Sequence, residues 1–474
     1  MMLQAMKNIF DTFGAAIFVP VILYIVALVL KVKPKKAFDL ALFAGIGLMG
    51  FTMLINAYIP VIVPTVQRMV ENTGVKLPVL DIGWQTTSVV AYSTQVGMIF
   101  VGLALLIQIF LFLVGWTNIF MPGDLWNNYS FMVWGSMIYL LTKNMAFSIL
   151  TMVVMNLYIL LFAEMLEKRW STYYNYPHCT MTAPHHIGCV PYAIGMDWIL
   201  NKLGVYRINL RPEALQKKMG FLGEPTSLGL LLGLFLGIMG NVGKLNTLAA
   251  WGEITKVGIT TAAVMAIFPK VAGIFASAFT PLTEASKKAA KSGGKSRDWY
   301  LAVNDAAGYG ETATLITGIM LIPIMVLMAL ILPGNKTLPM VDLIALPFMV
   351  EVIICISNGN IFKALISSTI WFSLGLYMCS YTAPMFTQVA QQVGVTIPSA
   401  AMLITSFGIL SNPMMGLLFL AFLSQNMFVI GCVILLYFIL YFWFKKNRDK
   451  VANYLENSAN IGVLPLTESK SFTI

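Results

Sequence analysis

Residues 427–444 read MFVIGCVILLYFILYFWF, eighteen positions without a charge, and Lys445, Lys446, Arg448 and Lys450 follow at once. About 20 apolar residues carry a helix across a hydrocarbon core. A second run of this kind occupies 13–30, and a fuller reading gives eleven: 13–30, 38–59, 96–116, 130–142, 146–163, 228–243, 257–280, 312–332, 341–356, 361–379 and 427–444. None alternates polar and apolar residues as the strands of a membrane β-barrel do. The 474 residues are 58% hydrophobic and 11% charged, with a mean hydropathy of +0.80. A water-soluble domain needs roughly 25% charged residues to cover its surface. The fold class is therefore an all-α polytopic membrane protein, with about 11 transmembrane helices plus re-entrant segments.

The charge distribution sets an expected orientation. Lys31, Lys33, Lys35 and Lys36 follow the first span, and the basic residues from Lys445 follow the last. Positive loops face the cytoplasm. The N-terminus is accordingly expected outside and the C-terminus inside a bacterial inner membrane, with an odd number of crossings between them. The segments 202–218 and 285–298 read as further cytoplasmic loops. The excess of 30 basic over 20 acidic residues belongs to such loops and implies no nucleic-acid partner. No cleavage-site pattern follows the first apolar run, so the first span itself is expected to drive insertion. Cys179, Cys189, Cys355, Cys379 and Cys432 are scattered, which suggests neither a disulfide framework nor a zinc site. Residues 1–448 read as one membrane unit and 449–474 as a short polar tail.

Between the spans lie stretches too polar or too broken to cross cleanly: 82–95, 181–200, 221–227, 304–311 and 399–424. Irregular backbone survives at membrane depth only when it is packed in protein or lines a wet cavity, and transporters build substrate sites from such breaks. Gly220-Phe221-Leu222-Gly223-Glu224-Pro225 puts Glu224 at the mouth of an apolar run. It reads either as an acceptor for sugar hydroxyls or as an acid favoured by a helix N-terminus. Pro184-His185-His186 offers two imidazoles. Neighbouring side chains on a helix diverge by about 100°, so no metal is expected there, and hydrogen bonding to substrate or to a carboxylate is the alternative to a simple interfacial turn. Asn304-Asp305-Ala306-Ala307-Gly308-Tyr309-Gly310-Glu311 holds two acids that can grip hydroxyls, or that can neutralise the lysines before them. Ser357-Asn358-Gly359-Asn360 reads as an uncharged hydroxyl-binding pair, Asn358 and Asn360, or as an Asn-Gly turn. Trp84 and Gln95, and the run Asp124-Leu125-Trp126-Asn127, are weaker members of the same class.

These motifs, in this order, resemble the galactitol-specific enzyme IIC family of the sugar phosphotransferase system. The resemblance rests on GFLGEP at 220–225, ND…GYGETA at 304–313, LPGNKTLP at 332–339 and SNGNIFK at 357–363. It rests also on DIGW at 81–84, DLWN at 124–127 and PHH at 184–186, and it runs over roughly 5–448. It implies a homodimeric permease with a core domain holding a sugar or polyol and a second domain making the dimer contact. It further implies a phosphorylated IIB partner, charged in turn by IIA, and Glu224 and Asp305 as the sugar-facing acids. No cofactor is expected. The pattern departs from the family at Glu311 and Ser357, where members carry histidine. An ion-coupled transporter without phosphorylation is the competing class, and no phosphate-binding GxxxxGK[ST] loop is present for a motor domain.

Overall fold

The fold comes from a computed structural model that describes residues 15–29, 31–74, 76–278, 298–398 and 401–461. The basic segment 285–298, except for Asp298, lies outside the described residues, as does the tail beyond 461. Helices α1 (Ala15–Val29) and α2 (Pro34–Glu71) lead to strand β1 (Val79–Asp81), α3 (Trp84–Ser93) and α4 (Gln95–Leu113). Strand β2 (Ile119–Phe120) and a 3-10 turn (Met121–Asn128) precede α5 (Tyr129–Thr142) and α6 (Met145–Tyr173). Strand β3 (Cys179–Met181), α7 (Pro184–Ile187) and α8 (Val190–Lys202) close the first half. Helices α9 (Pro212–Met219), α10 (Pro225–Gly240) and α11 (Leu248–Ser277) follow. The second half runs through β4 (Tyr300–Val303), α12 (Ala306–Tyr309), α13 (Thr312–Ile331) and β5 (Thr337–Leu338). It continues with α14 (Leu346–Met349), α15 (Glu351–Ile356), α16 (Ile361–Gln392), β6 (Leu403–Thr405), α17 (Phe407–Leu410), α18 (Pro413–Leu423) and α19 (Met427–Asn460).

Among the described residues, seven helices are long and apolar enough to cross a membrane: α2, α4, α6, α11, α13, α16 and α19. The pair Pro212–Gly223 and Pro225–Gly240, bent by 69°, makes an eighth if taken as one span. By this measure eleven crossings are not reached, and the physical reason is local. The run 130–142 forms a helix of 14 residues, about 21 Å long and short of the ~30 Å core. The run 341–356 breaks into a 3-10 turn and two short helices.

Helices α1, α2, α10 and α11 form one packed group. Its seam is written in sequence as glycine at every fourth position of α10. A Cβ on Gly233 would lie 2.7 Å from the Val257 carbonyl oxygen, and one on Gly237 would lie 2.9 Å from Ile254 Cα. Small residues in this spacing let two helices approach to backbone contact, the attraction available where lipid is as apolar as leucine.

The remaining elements surround two three-stranded parallel sheets. In one, β1 lies between β5 and β6; in the other, β4 lies between β2 and β3. Each half thus lends its first strand to the centre of the sheet that the other half flanks, and the two halves, 79–202 and 300–423, repeat the same order of strands and breaks. Interrupted segments at matching places in two repeats point to a transporter's binding site.

The polar tail read from 449 onward begins as helix. Helix α19 has 34 residues, about 51 Å, and so outruns the apolar core. Its far end is tied down: Lys445 pairs with Glu164 at 2.6 Å, Arg448 with Glu167, and Glu456 with Arg169 at 3.4 Å. The Ser458 hydroxyl donates to Asp197.

Candidate substrate site

Because β2, β4 and β3 are parallel, their C-terminal ends lie side by side, and the chain leaving each must turn there. Strand β4 pairs Val303 with Met181 of β3 and Leu301 with Phe120 of β2, so three turns converge. After β3, Pro184 sits at the first position of α7, where its missing N–H costs nothing and its fixed φ starts the helix. After β4, Asn304 Oδ1 accepts from the Ala306 N–H at 3.0 Å and bends the chain at Asp305. After β2, the 3-10 turn carries Asp124 and Asn127.

These turns build one cluster. His185 Nε2 and His186 Nε2 lie 3.5 and 3.3 Å from Asp305 Oδ2. Asn127 Nδ2 reaches Asp305 Oδ1 at 3.3 Å and also both oxygens of Asp124, at 3.2 and 3.1 Å. The Thr182 hydroxyl donates to Asp124 at 3.4 Å and Asn304 Nδ2 at 3.5 Å. All seven side chains are buried or nearly so, and Asp124 is 0% exposed. An unpaired carboxylate at such depth costs several kcal/mol, so imidazole and amide donors are what make two acids tolerable here. The second half of the chain braces the cluster. Asn412, which caps α18, donates to the His185 carbonyl at 3.1 Å, and a Cβ on Gly188 would collide with its amide at 2.5 Å. An aromatic wall runs from His185 through Tyr129, ring centroids 6.1 Å apart, to Trp84 at 6.4 Å.

The expectation that the adjacent imidazoles diverge is not met. In the four-residue α7 both turn toward Asp305, with ring centres 4.0 Å apart. Among the described residues, His185, His186 and Asp305 are the group whose donor atoms lie close enough together, within 4.8 Å, to hold a metal ion. The same atoms can hold hydroxyl groups.

Of the residues singled out in the sequence, the structure brings His185, His186, Asp305, Asp124 and Asn127 together, with Trp84 at the edge. The others lie elsewhere. Glu224 is exposed at the bend before α10, in the glycine-seamed helix group. Glu311 caps α13, accepting from the N–H groups of Ala313 and Thr314 at 2.9 and 2.8 Å. Asn358 adopts a φ of 51° in an Asn-Gly turn, accepts from Arg169 and donates to the Ala459 carbonyl. Asn360 caps α16 and donates to the Ile208 carbonyl at 3.0 Å. Gln95 is exposed at the start of α4. Thr182 and Tyr129 carried no individual signal, because each is ordinary in a turn or an apolar helix.

Strand–helix breaks paired between two repeats, among helices long and apolar enough to cross a membrane, are the architecture of a membrane permease. The EIIC-GAT family model, described as the PTS system sugar-specific permease component, matches residues 8–400, and the chain belongs to that family. The chain is 27% identical over 443 residues to the PTS system galactitol-specific EIIC component of Escherichia coli strain K12, covering 91% of this chain and 94% of that one. The protein of the same name from Escherichia coli O157:H7 matches to the same extent. A permease of this system works with IIA and IIB components.

Proposed function

We propose that the chain binds galactitol, or a polyol very like it, at the Asp305 cluster and presents it to a separate phosphorylated IIB protein during uptake. The observation that supports this reading is the convergence of two carboxylates, two imidazoles and two amides at the ends of three parallel strands. Carboxylates accept from hydroxyls, amides and imidazoles donate to them, and the faces of Tyr129 and Trp84 suit the C–H side of a polyol. In the transfer step the substrate hydroxyl oxygen bonds to phosphorus while the bond from phosphorus to IIB breaks, its electron pair staying on IIB. The hydroxyl proton passes to Asp305. IIA then recharges IIB. The basic loops face the cytoplasm, where IIB docks, with the N-terminus outside and the C-terminus inside; the α1, α2, α10 and α11 group makes the contact of a homodimer.

Membrane vesicles loaded with or without phospho-IIB test this. The expected result is polyol phosphate inside only when phospho-IIB is present. Free polyol accumulating at the same rate without it overturns the reading in favour of an ion-coupled transporter.

A further inference from the structure

Directly beneath the turn that carries Asp305 lies an acid that the reading above does not use. Glu351 opens α15 and is 0% exposed, and neither of its carboxyl oxygens has a hydrogen-bond partner among the described residues. It packs against Gly308 so closely that a Cβ there would fall 2.2 Å from Oε2. Gly308 in turn donates its N–H to the Asp305 carbonyl at 3.1 Å. The Trp170 indole lies beside the carboxyl, and its N–H also lacks a bond of good geometry.

The charges on the elements packed around α15 supply no counter-ion. On α6, Arg169 is committed to Cys355 O, Asn358 and Glu456, while Glu164 and Glu167 hold Lys445 and Arg448. On α16, Lys363 pairs with Asp197 of α8. On α7, both imidazoles face Asp305. Before α13, Glu311 is a helix cap, and Asp124 and Asp305 are further acids acting on the same spot. A carboxylate among three others, with no cation and no well-aligned donor beside it among the described residues, is not a stable arrangement in a dry interior.

We propose that Glu351 is a proton-binding site: it is held as the neutral carboxylic acid, and its proton keeps a further negative charge from forming under the Asp305 turn. The proposal adds to the substrate-site reading, but its first test needs no substrate. Infrared difference spectra of the purified protein at neutral pH are expected to show the C=O stretch of a protonated carboxyl that E351Q lacks and D305N retains. Because glutamine matches the neutral acid in shape, E351Q should fold. As pH rises, the parent is expected to lose thermal stability relative to E351Q, since the folded parent must then give up a proton that it holds more tightly than the unfolded chain does. In titrations with galactitol, the parent should lose affinity at alkaline pH while E351Q keeps its own. Absence of the carboxyl band from the parent overturns the proposal, as does parallel pH behaviour of parent and variant. Stability set by sodium concentration at fixed pH overturns it too, in favour of a bound cation. A failure of galactitol to bind at any pH would count against the substrate reading while leaving the spectroscopic result to decide this one.

Discussion

The two sheets end in acid pairs that look alike in sequence and differ in how they are held. At the β5-β1-β6 sheet, Asp81 accepts four backbone N–H groups, from Gly83, Met340, Asp342 and Phe407, at 2.8–3.1 Å. Asp342 accepts from the N–H groups of Trp84 and Gly408 and from the Ser406 hydroxyl. At the β2-β4-β3 sheet, the Thr182 hydroxyl meets Asp124 as Ser406 meets Asp342, but the remaining donors are the side chains of Asn127, Asn304, His185 and His186. Backbone donors cannot leave without unfolding the turn that carries them. Side-chain donors can rotate and exchange one acceptor for another. The first pair is a fastening, and the second is suited to letting a ligand in.

The largest expected effect breaks the fastening. Asp81→Ala strands four buried N–H groups, each costing about 1–3 kcal/mol, and should leave little monodisperse protein after detergent extraction. Survival of a folded, binding-competent D81A protein would erase the distinction. Next, Asp305→Asn should insert and fold normally yet weaken galactitol binding about ten- to a hundredfold by calorimetry, for the loss of about 1.5–3 kcal/mol of charge-assisted hydrogen bonding. An unaltered Kd would move the substrate away from this cluster. Asn127→Ala removes the bridge between Asp124 and Asp305, and a five- to tenfold loss of affinity is expected from about 1 kcal/mol. Glu224→Gln should change affinity less than about twofold, since that side chain is exposed in the other helix group. A tenfold loss there would mean that the helix group reaches over the substrate, and that the site spans both parts of the molecule.

The membrane class was legible because apolar runs of span length admit few alternatives, and the breaks between them were legible as polar interruptions. The Pro-His-His and Asn-Asp motifs were readable as candidates, and the structure brings both to one place. What was not legible is the pairing. Strands of two to four residues carry no period for a pattern to reveal, so nothing in 119–120 or 300–303 announces that they meet. Glu311 and Asn360 could not be recognised from sequence as helix caps, because a polar side chain beside a glycine reads the same whether it caps a helix or faces a ligand. Asn358 illustrates the opposite case: its Asn-Gly step already suggested a turn, and it has the positive φ that such a turn requires.

The exchange of central strands also bears on how the chain is made. Strand β1 is paired on both sides only by residues from 337–338 and 403–405. A ribosome delivers residues 79–81 long before either partner exists. Until the segment around 403 emerges, the backbone of β1 must wait at the membrane surface or shelter in the translocation machinery, because unpaired peptide groups are not stable in lipid. The first half of this permease cannot finish folding ahead of the second: β2 and β3 wait for residues 300–303, and β1 waits for 403–405.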